Sequence, residues 1–210
     1  MSSKTLLMAK VFNNFILLSP IFFLVILVQG CAVSAIPKDP IAFVNDNNEN
    51  GLIVGSVTFL QPKARYNGYF LNICEDKKDS IRTKPKCFFI HFAPKQIIKM
   101  RHNGELDSGL TYLFTIEKPA GKYRVGSLRL YLNGGSVYQQ NDYLSGFSIP
   151  FKVAQGKITY IGNLVFNEFR KKNEPTLLYR HTFKKDIEGM KVLQPSIDWS
   201  KAVLDTSIAM

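Results

Sequence analysis

Between residues 51 and 166 the apolar side chains keep a period of two, and that period constrains the fold more than any other feature of the chain. In residues 51–60, Ile53, Gly55, Val57 and Phe59 alternate with Val54, Ser56, Thr58 and Leu60. Successive strand side chains point to opposite faces, so the pattern predicts a strand with one face buried and the other half exposed. Runs rich in β-branched and aromatic residues follow at 68–73, 88–92, 110–116, 123–132, 146–153 and 158–166. Two connections carry hairpin chemistry. In Lys118-Pro119-Ala120-Gly121 the proline fixes one backbone angle and the glycine is free to take a positive φ; Ala154-Gln155-Gly156-Lys157 links the next pair. Phe147, Ile149, Phe151 and Val153 share a face, which leaves Pro150 on the other; lacking an amide donor, it marks an edge strand or a bulge. Seven or eight strands separated by turns predict an all-β fold, an antiparallel β-sandwich over residues 51–182.

The remainder, 183–210, reads as a C-terminal helical extension. Phe183, Ile187 and Met190 recur at helical spacing and Pro195 stops that helix. Asp198 then stands as an N-cap before Trp199, Ala202 and Val203, a second short helix. Apolar neighbours on its face make Trp199 a core anchor rather than a stacking platform.

At the other end, residues 1–30 have the parts of an export signal: Lys4 and Lys10, an apolar stretch over 15–28, and Val28-Gln29-Gly30 before Cys31. The segment resembles the bacterial lipobox, departing from its usual form at Val28 and Gln29. That resemblance implies cleavage before Cys31, a diacylglycerol thioether on Cys31 and usually an amide-linked acyl chain, such as palmitate. Two or three chains, at about 0.8 kcal/mol per buried methylene, hold a protein firmly to a membrane. Ala32, a residue other than Asp after the cysteine, resembles the outer-membrane sorting pattern of many Gram-negative lipoproteins. Two alternatives stay open: an uncleaved span over 15–36, against which Pro20 and Gln29 stand, and secretion after a cut near Ala32-Val33-Ser34-Ala35. Residues 31–50, with Pro37, Pro40 and the polar run from Asn45 to Asn50, read as a tether in which Ile41-Ala42-Phe43-Val44 is apolar enough to pair with the domain.

Pro119-Ala120-Gly121-Lys122-Tyr123 and the stretch Phe151-Lys152-Val153-Ala154-Gln155-Gly156-Lys157-Ile158-Thr159-Tyr160-Ile161-Gly162 resemble a group of uncharacterised bacterial envelope lipoproteins with a small Ig-like or transthyretin-like β-sandwich. The resemblance covers roughly residues 51–166 and implies a fold and a compartment, without a reaction.

Lysine and arginine number 27 against 16 acidic residues, and residues 1–30 hold only Lys4 and Lys10, so the chain from Cys31 onward has 25 against 16, a net charge of +9. Such a balance suits phospholipid head groups, lipopolysaccharide phosphates or acidic wall polymers; export argues against nucleic acid. The basic residues concentrate at Lys95, Lys99 and Arg101, interleaved with Ile97, Ile98 and Met100; at Arg170, Lys171 and Lys172; and at Lys184-Lys185. Cys74 and Cys87 suit a disulfide in an oxidising compartment. The rival is a hydrolase using Cys87 with His91, four residues apart on one strand face, but their α-carbons then stand about 13 Å apart. His91, His102 and His181 are the only histidines, and they lack metal-site spacing. Asp142 with Glu168, or Asp186 with Glu188, form carboxylate pairs that nothing places across a cleft. The expectation is a lipid-anchored binding or structural module of the periplasm or outer membrane, without catalysis, metal or cofactor, whose partner is an envelope protein or an anionic envelope polymer. A small-ligand binder with tyrosines and phenylalanines between its sheets is the further alternative.

Overall fold

The computed structural model describes Phe43 and residues 49–76, 85–96, 99–135 and 138–205. The chain divides after Pro40 into two units, and every element below belongs to the second, Ile41–Met210. The segment expected to be a signal peptide, Cys31 and nearly all of the expected tether lie outside the described residues.

The described residues are mostly strand. The first sheet holds β1 (Asn50–Phe59), β6 (Thr111–Pro119), β10 (Ile158–Phe166), β11 (Leu177–Arg180) and β12 (Ala202–Leu204). The second holds β2 (Gly68–Glu75), β3 (Cys87–Phe92), β7 (Gly121–Asn133), β8 (Gln139–Leu144) and β9 (Ile149–Val153). A two-stranded ribbon, β4 (Lys95–Gln96) with β5 (Met100–Arg101), and one α-helix, α1 (Phe183–Leu193), complete the list apart from two 3-10 turns. The sheet orders are β11-β10-β1-β6 and β3-β2-β7-β8, with β12 also on β10 and β9 also on β7. β1 and β10 run parallel; the other central pairs are antiparallel.

The two sheets share one apolar cluster. Ile53, Val57, Phe59, Ile161, Leu164 and Phe166 of the first meet Tyr69, Leu71, Ile73, Val125, Leu128 and Phe151 of the second. The opposite face of the first sheet is not half exposed, as the alternation in β1 predicts. Leu52, Val54, Ile158 and Tyr160 pack there against Ile187 and Met190 of α1 and against Trp199. Phe43 joins this second cluster, 3% exposed. A strand buried on both faces reads as continuous apolar sequence, and β10 is buried along its whole length.

Both turns with hairpin chemistry reverse the chain, but neither joins paired strands. β6 and β9 each hand over to a strand of the other sheet, so the turns at 119–121 and 154–157 are crossovers between layers. Turn residues specify a reversal; whether the next strand lies beside the last or about 10 Å above it is decided by the core. Pro150 does sit outward on an edge strand, since β9 pairs only with β7. Gly162 takes φ +99° in a bulge where Tyr160 pairs Val54 but Asn163 pairs Ser56. The extra residue turns Asn163 toward α1 and returns Leu164 and Phe166 to the core. A Cβ on Gly162 would stand 2.3 Å from the Tyr179 ring.

The C-terminal extension is helical only in part. α1 follows the expected face, with Ile187 and Met190 buried. The second expected helix is one 3-10 turn, Trp199–Lys201, after which the chain becomes β12, parallel to β10. Asp198 does cap the turn, accepting from Ser200 N. Alanine and β-branched valine then meet the open edge of β10, whose ladder is a better partner for three residues than a second helical turn.

Candidate functional site: a basic end held by a buried carboxylate

β1 and β10 are parallel, so Phe59 and Phe166 bring the loops 60–67 and 167–176 to the same end of the strands. The β4–β5 ribbon joins them there: Lys95 pairs with Arg101, Arg101 bridges to Lys63, His102 N donates to the Pro62 carbonyl and Ala64 N to that of Met100. Lys63 Nζ stands 5.9 Å from the ring centre of Phe169. The clusters that are separate in sequence, Lys95, Lys99 and Arg101 on one side and Arg170, Lys171 and Lys172 on the other, thus flank Lys63 and Arg65, and all eight are exposed. Among the described residues no carboxylate is ion-paired with any of them.

Beneath this surface lies Glu168, 8% exposed. Its Oε1 accepts from His102 Nε2 at 2.6 Å, and its Oε2 accepts from Tyr69 Oη at 2.5 Å and Arg65 N at 3.0 Å. One carboxylate therefore ties the loop carrying Lys63 and Arg65, the segment after Arg101, and its own loop ahead of Arg170. A carboxylate only accepts, so His102 Nε2 carries a proton. Its Nδ1 lies 3.4 Å from Tyr112 Oη, and its ring stacks on Phe59 with centroids 3.7 Å apart. Burial pushes the Tyr69 hydroxyl far above its ordinary range, with the Glu168 charge adding to it; burial raises Tyr112 to about 12. Tyr66, raised to about 12 by burial and by its bond to Asp142, donates to Asp142 Oδ2 at 2.9 Å and gives its backbone N–H to Tyr69 Oη at 3.1 Å. Asp142 and Glu168 are thus joined through two tyrosines rather than set across a cleft. These hydroxyls remain donors at any physiological pH.

A second buried carboxylate sits on the helix side of the first sheet. Asp186 Oδ2 accepts from Ser56 Oγ at 2.5 Å, Tyr160 Oη at 2.6 Å and Thr182 Oγ1 at 2.8 Å, while its Oδ1 is buried without a hydrogen-bond partner. Asn163 donates to Ser56 and Thr58, extending the set across β1 and β10. Asp186, Ser56, Tyr160 and Asn163 are buried, and the network fixes α1 on the sheet.

Cys74 and Cys87 are bridged across paired positions of β2 and β3, closing the loop between them; the chain-entropy model gives such a loop about 3 kcal/mol. The sulfur of Cys87 is therefore not available as a thiolate to His91. Among the described residues no group of three or more histidine, cysteine or acidic side chains is arranged to hold a metal ion. Lys184 and Lys185 lie on α1 with Lys191, and Lys185 pairs with Asp107 at 2.6 Å. Reading the sequence misses Lys63, Arg65 and the role of Glu168, because three loops far apart in the chain build the site. The one signal was an acidic residue, Glu168, next to an aromatic and a basic run.

No known family model matches this chain, and no curated protein matches it. Among solved structures it is similar to a leucine-rich repeat protein from Bacteroides thetaiotaomicron, at 15% identity and a TM-score of 0.30, over 73% of this chain and 17% of that one. The chain spans under a fifth of that protein's length, and a likeness of this degree carries no argument about fold or function.

Proposed function

We propose that this protein is a bacterial envelope lipoprotein, anchored through lipid on Cys31, whose domain is an Ig-like or transthyretin-like β-sandwich that binds an anionic envelope polymer at its basic end without catalysing a reaction. The observation that carries the reading is the gathering of Lys63, Arg65, Lys95, Lys99, Arg101, Arg170, Lys171 and Lys172 at one end without paired acids. Uncompensated charge costs self-repulsion that a purely structural surface would relieve with interspersed acids, and it raises the local concentration of an anionic partner.

The protein purified from membranes tests both halves. Its intact mass should correspond to residues 31–210 plus two or three acyl chains, and a Cys31→Ser variant should lose the acyl mass and leave the membrane fraction. The same preparation should bind lipopolysaccharide with an affinity that falls steeply as salt rises. A mass for residues 1–210 would refute the anchor, and salt-independent or absent binding would refute the basic end as the binding surface.

A further inference from the structure

α1 covers the outer face of the first sheet, but among the described residues nothing covers the outer face of the second. Across its middle runs one cross-strand row: His91 of β3, Phe70 of β2, Arg129 of β7 and Tyr143 of β8, each directly opposite the next. Three strand spacings make the row about 14 Å wide. Arg129 lies over the Phe70 ring at 4.0 Å and His91 stacks on the same ring at 4.3 Å, nearly parallel, while Phe89 meets its edge at 5.5 Å. Phe89 is 60% exposed and Tyr143 65% exposed.

Arg129 is half-buried, and among the described residues its guanidinium has the ring beneath it but no hydrogen bond or carboxylate. Its donors are held in a fixed plane and left unused, the arrangement that takes a carboxylate in a bidentate fork. Lys122, Arg124 and Lys152 share the face, and none of its outward strand positions is acidic; Asp76, just past β2, comes only within 3.9 Å of Arg124. Asn72 and Ser127 share a row with Phe89, and Asn141 lies in the row beyond Tyr143; they offer amide and hydroxyl groups. A protein-docking patch would be contiguously apolar at its centre. A lipid surface would be met by protruding lysines rather than by a guanidinium set into a flat sheet.

We propose that this open face is a second binding surface, for an acidic polysaccharide: Arg129 takes a carboxylate of the chain, Phe89 and Tyr143 stack on sugar rings to either side, and Asn72, Ser127 and Asn141 meet its hydroxyls. Single-stranded nucleic acid also uses aromatics and cations, and the choice of glycan rests on the envelope reading above.

The full chain, purified from membranes, is titrated with a polygalacturonate oligomer, with neutral dextran and with oligothymidylate. Polygalacturonate should bind and dextran should not. Replacing both Phe89 and Tyr143 by alanine should weaken polygalacturonate binding about tenfold or more. Arg129→Lys, which keeps the charge and loses the fork, should weaken it several-fold, with the thermal transition of each variant held as the check on folding. A Lys63→Ser, Arg101→Ser variant should lose lipopolysaccharide and keep polygalacturonate within about twofold, so the two surfaces fail separately. Unchanged affinity in the Phe89, Tyr143 variant would overturn the proposal, and tighter binding of oligothymidylate than of polygalacturonate would overturn the choice of ligand.

Discussion

Two buried carboxylates lie on opposite sides of the first sheet, and they differ in how completely they are used. Glu168, on the side of the second sheet, spends both oxygens, on His102 and on Tyr69 with Arg65 N. Asp186, under the helix, gathers three hydroxyls on Oδ2 and leaves Oδ1 without a bond. Burying an ion is costly unless donors surround it, so a fully satisfied site marks geometry that has to be held, and a half-satisfied one marks geometry held mainly by packing. The molecule fits that division: Glu168 organises loops with little core of their own, whereas α1 already has Ile187 and Met190 seated on the sheet.

The largest effect expected from breaking the comparison is at Glu168. In Glu168→Gln one carboxylate oxygen becomes an amide NH2, which must either face the Tyr69 and Arg65 donors or force His102 into its other tautomer, and the charge that strengthens all three bonds is lost. A loss of about 3–5 kcal/mol in denaturant unfolding is expected, together with faster hydrogen exchange at the Arg65 amide. Next comes Gly162→Ala, which meets the Tyr179 ring and an unfavourable φ; about 2–4 kcal/mol should be lost, because the bulge that aims Asn163 at Ser56 has to shift. Asp186→Asn should cost less than about 1 kcal/mol, since the amide oxygen can accept the three hydroxyls and the amine takes the place of the unbonded oxygen. A loss as large as that of Glu168→Gln would erase the distinction between the two sites.

The smallest expected effect lies at the surface beside Asp186. Lys185 and then Thr111 hydrogen-bond to Asp107 and hold its carboxyl below the usual range. Its folded pKa is lower than its unfolded one, so its contribution is present above the ordinary carboxylate value near 3.9 and is lost as pH falls through the folded value. With Asp107 and Lys185 both partly exposed, the difference between wild type and Asp107→Asn should be less than about 1 kcal/mol at neutral pH and should shrink below pH about 4.

Seven strands, β1, β2, β3, β6, β7, β9 and β10, were legible in the sequence because β-branched and aromatic runs bounded by turns leave few other choices; β8, β11 and β12 were not. What the period of two did not reveal was the third layer. Val54, Ser56 and Thr58 look like the half-exposed face of an amphipathic strand, and only the position of α1 shows that they are its floor. The Gly162 bulge is hidden for a related reason: in a strand buried on both faces, slipping one residue breaks no visible alternation. Trp199 in the core and the Cys74–Cys87 bridge follow the expectation from local sequence, since neighbours on a face and paired cysteines are local or countable signals. The basic end was legible as two clusters and not as one surface, because the loop of Glu168 meets that of Lys63 through the parallel pairing of β1 with β10, about a hundred residues apart, and Arg101 joins them through its bridge to Lys63.

The central claim is that charge at this one end, rather than net charge, does the binding. The direct measurement compares lipopolysaccharide affinity at physiological salt for two variants of equal charge, Lys63→Ser, Lys95→Ser, Arg101→Ser at the basic end and Lys184→Ser, Lys191→Ser, Lys201→Ser on the helical side. The account predicts a loss of at least about tenfold for the first and less than about twofold for the second. Equal losses would show that the polymer reads only the overall charge of the domain and would contradict the assignment of the basic end as a site.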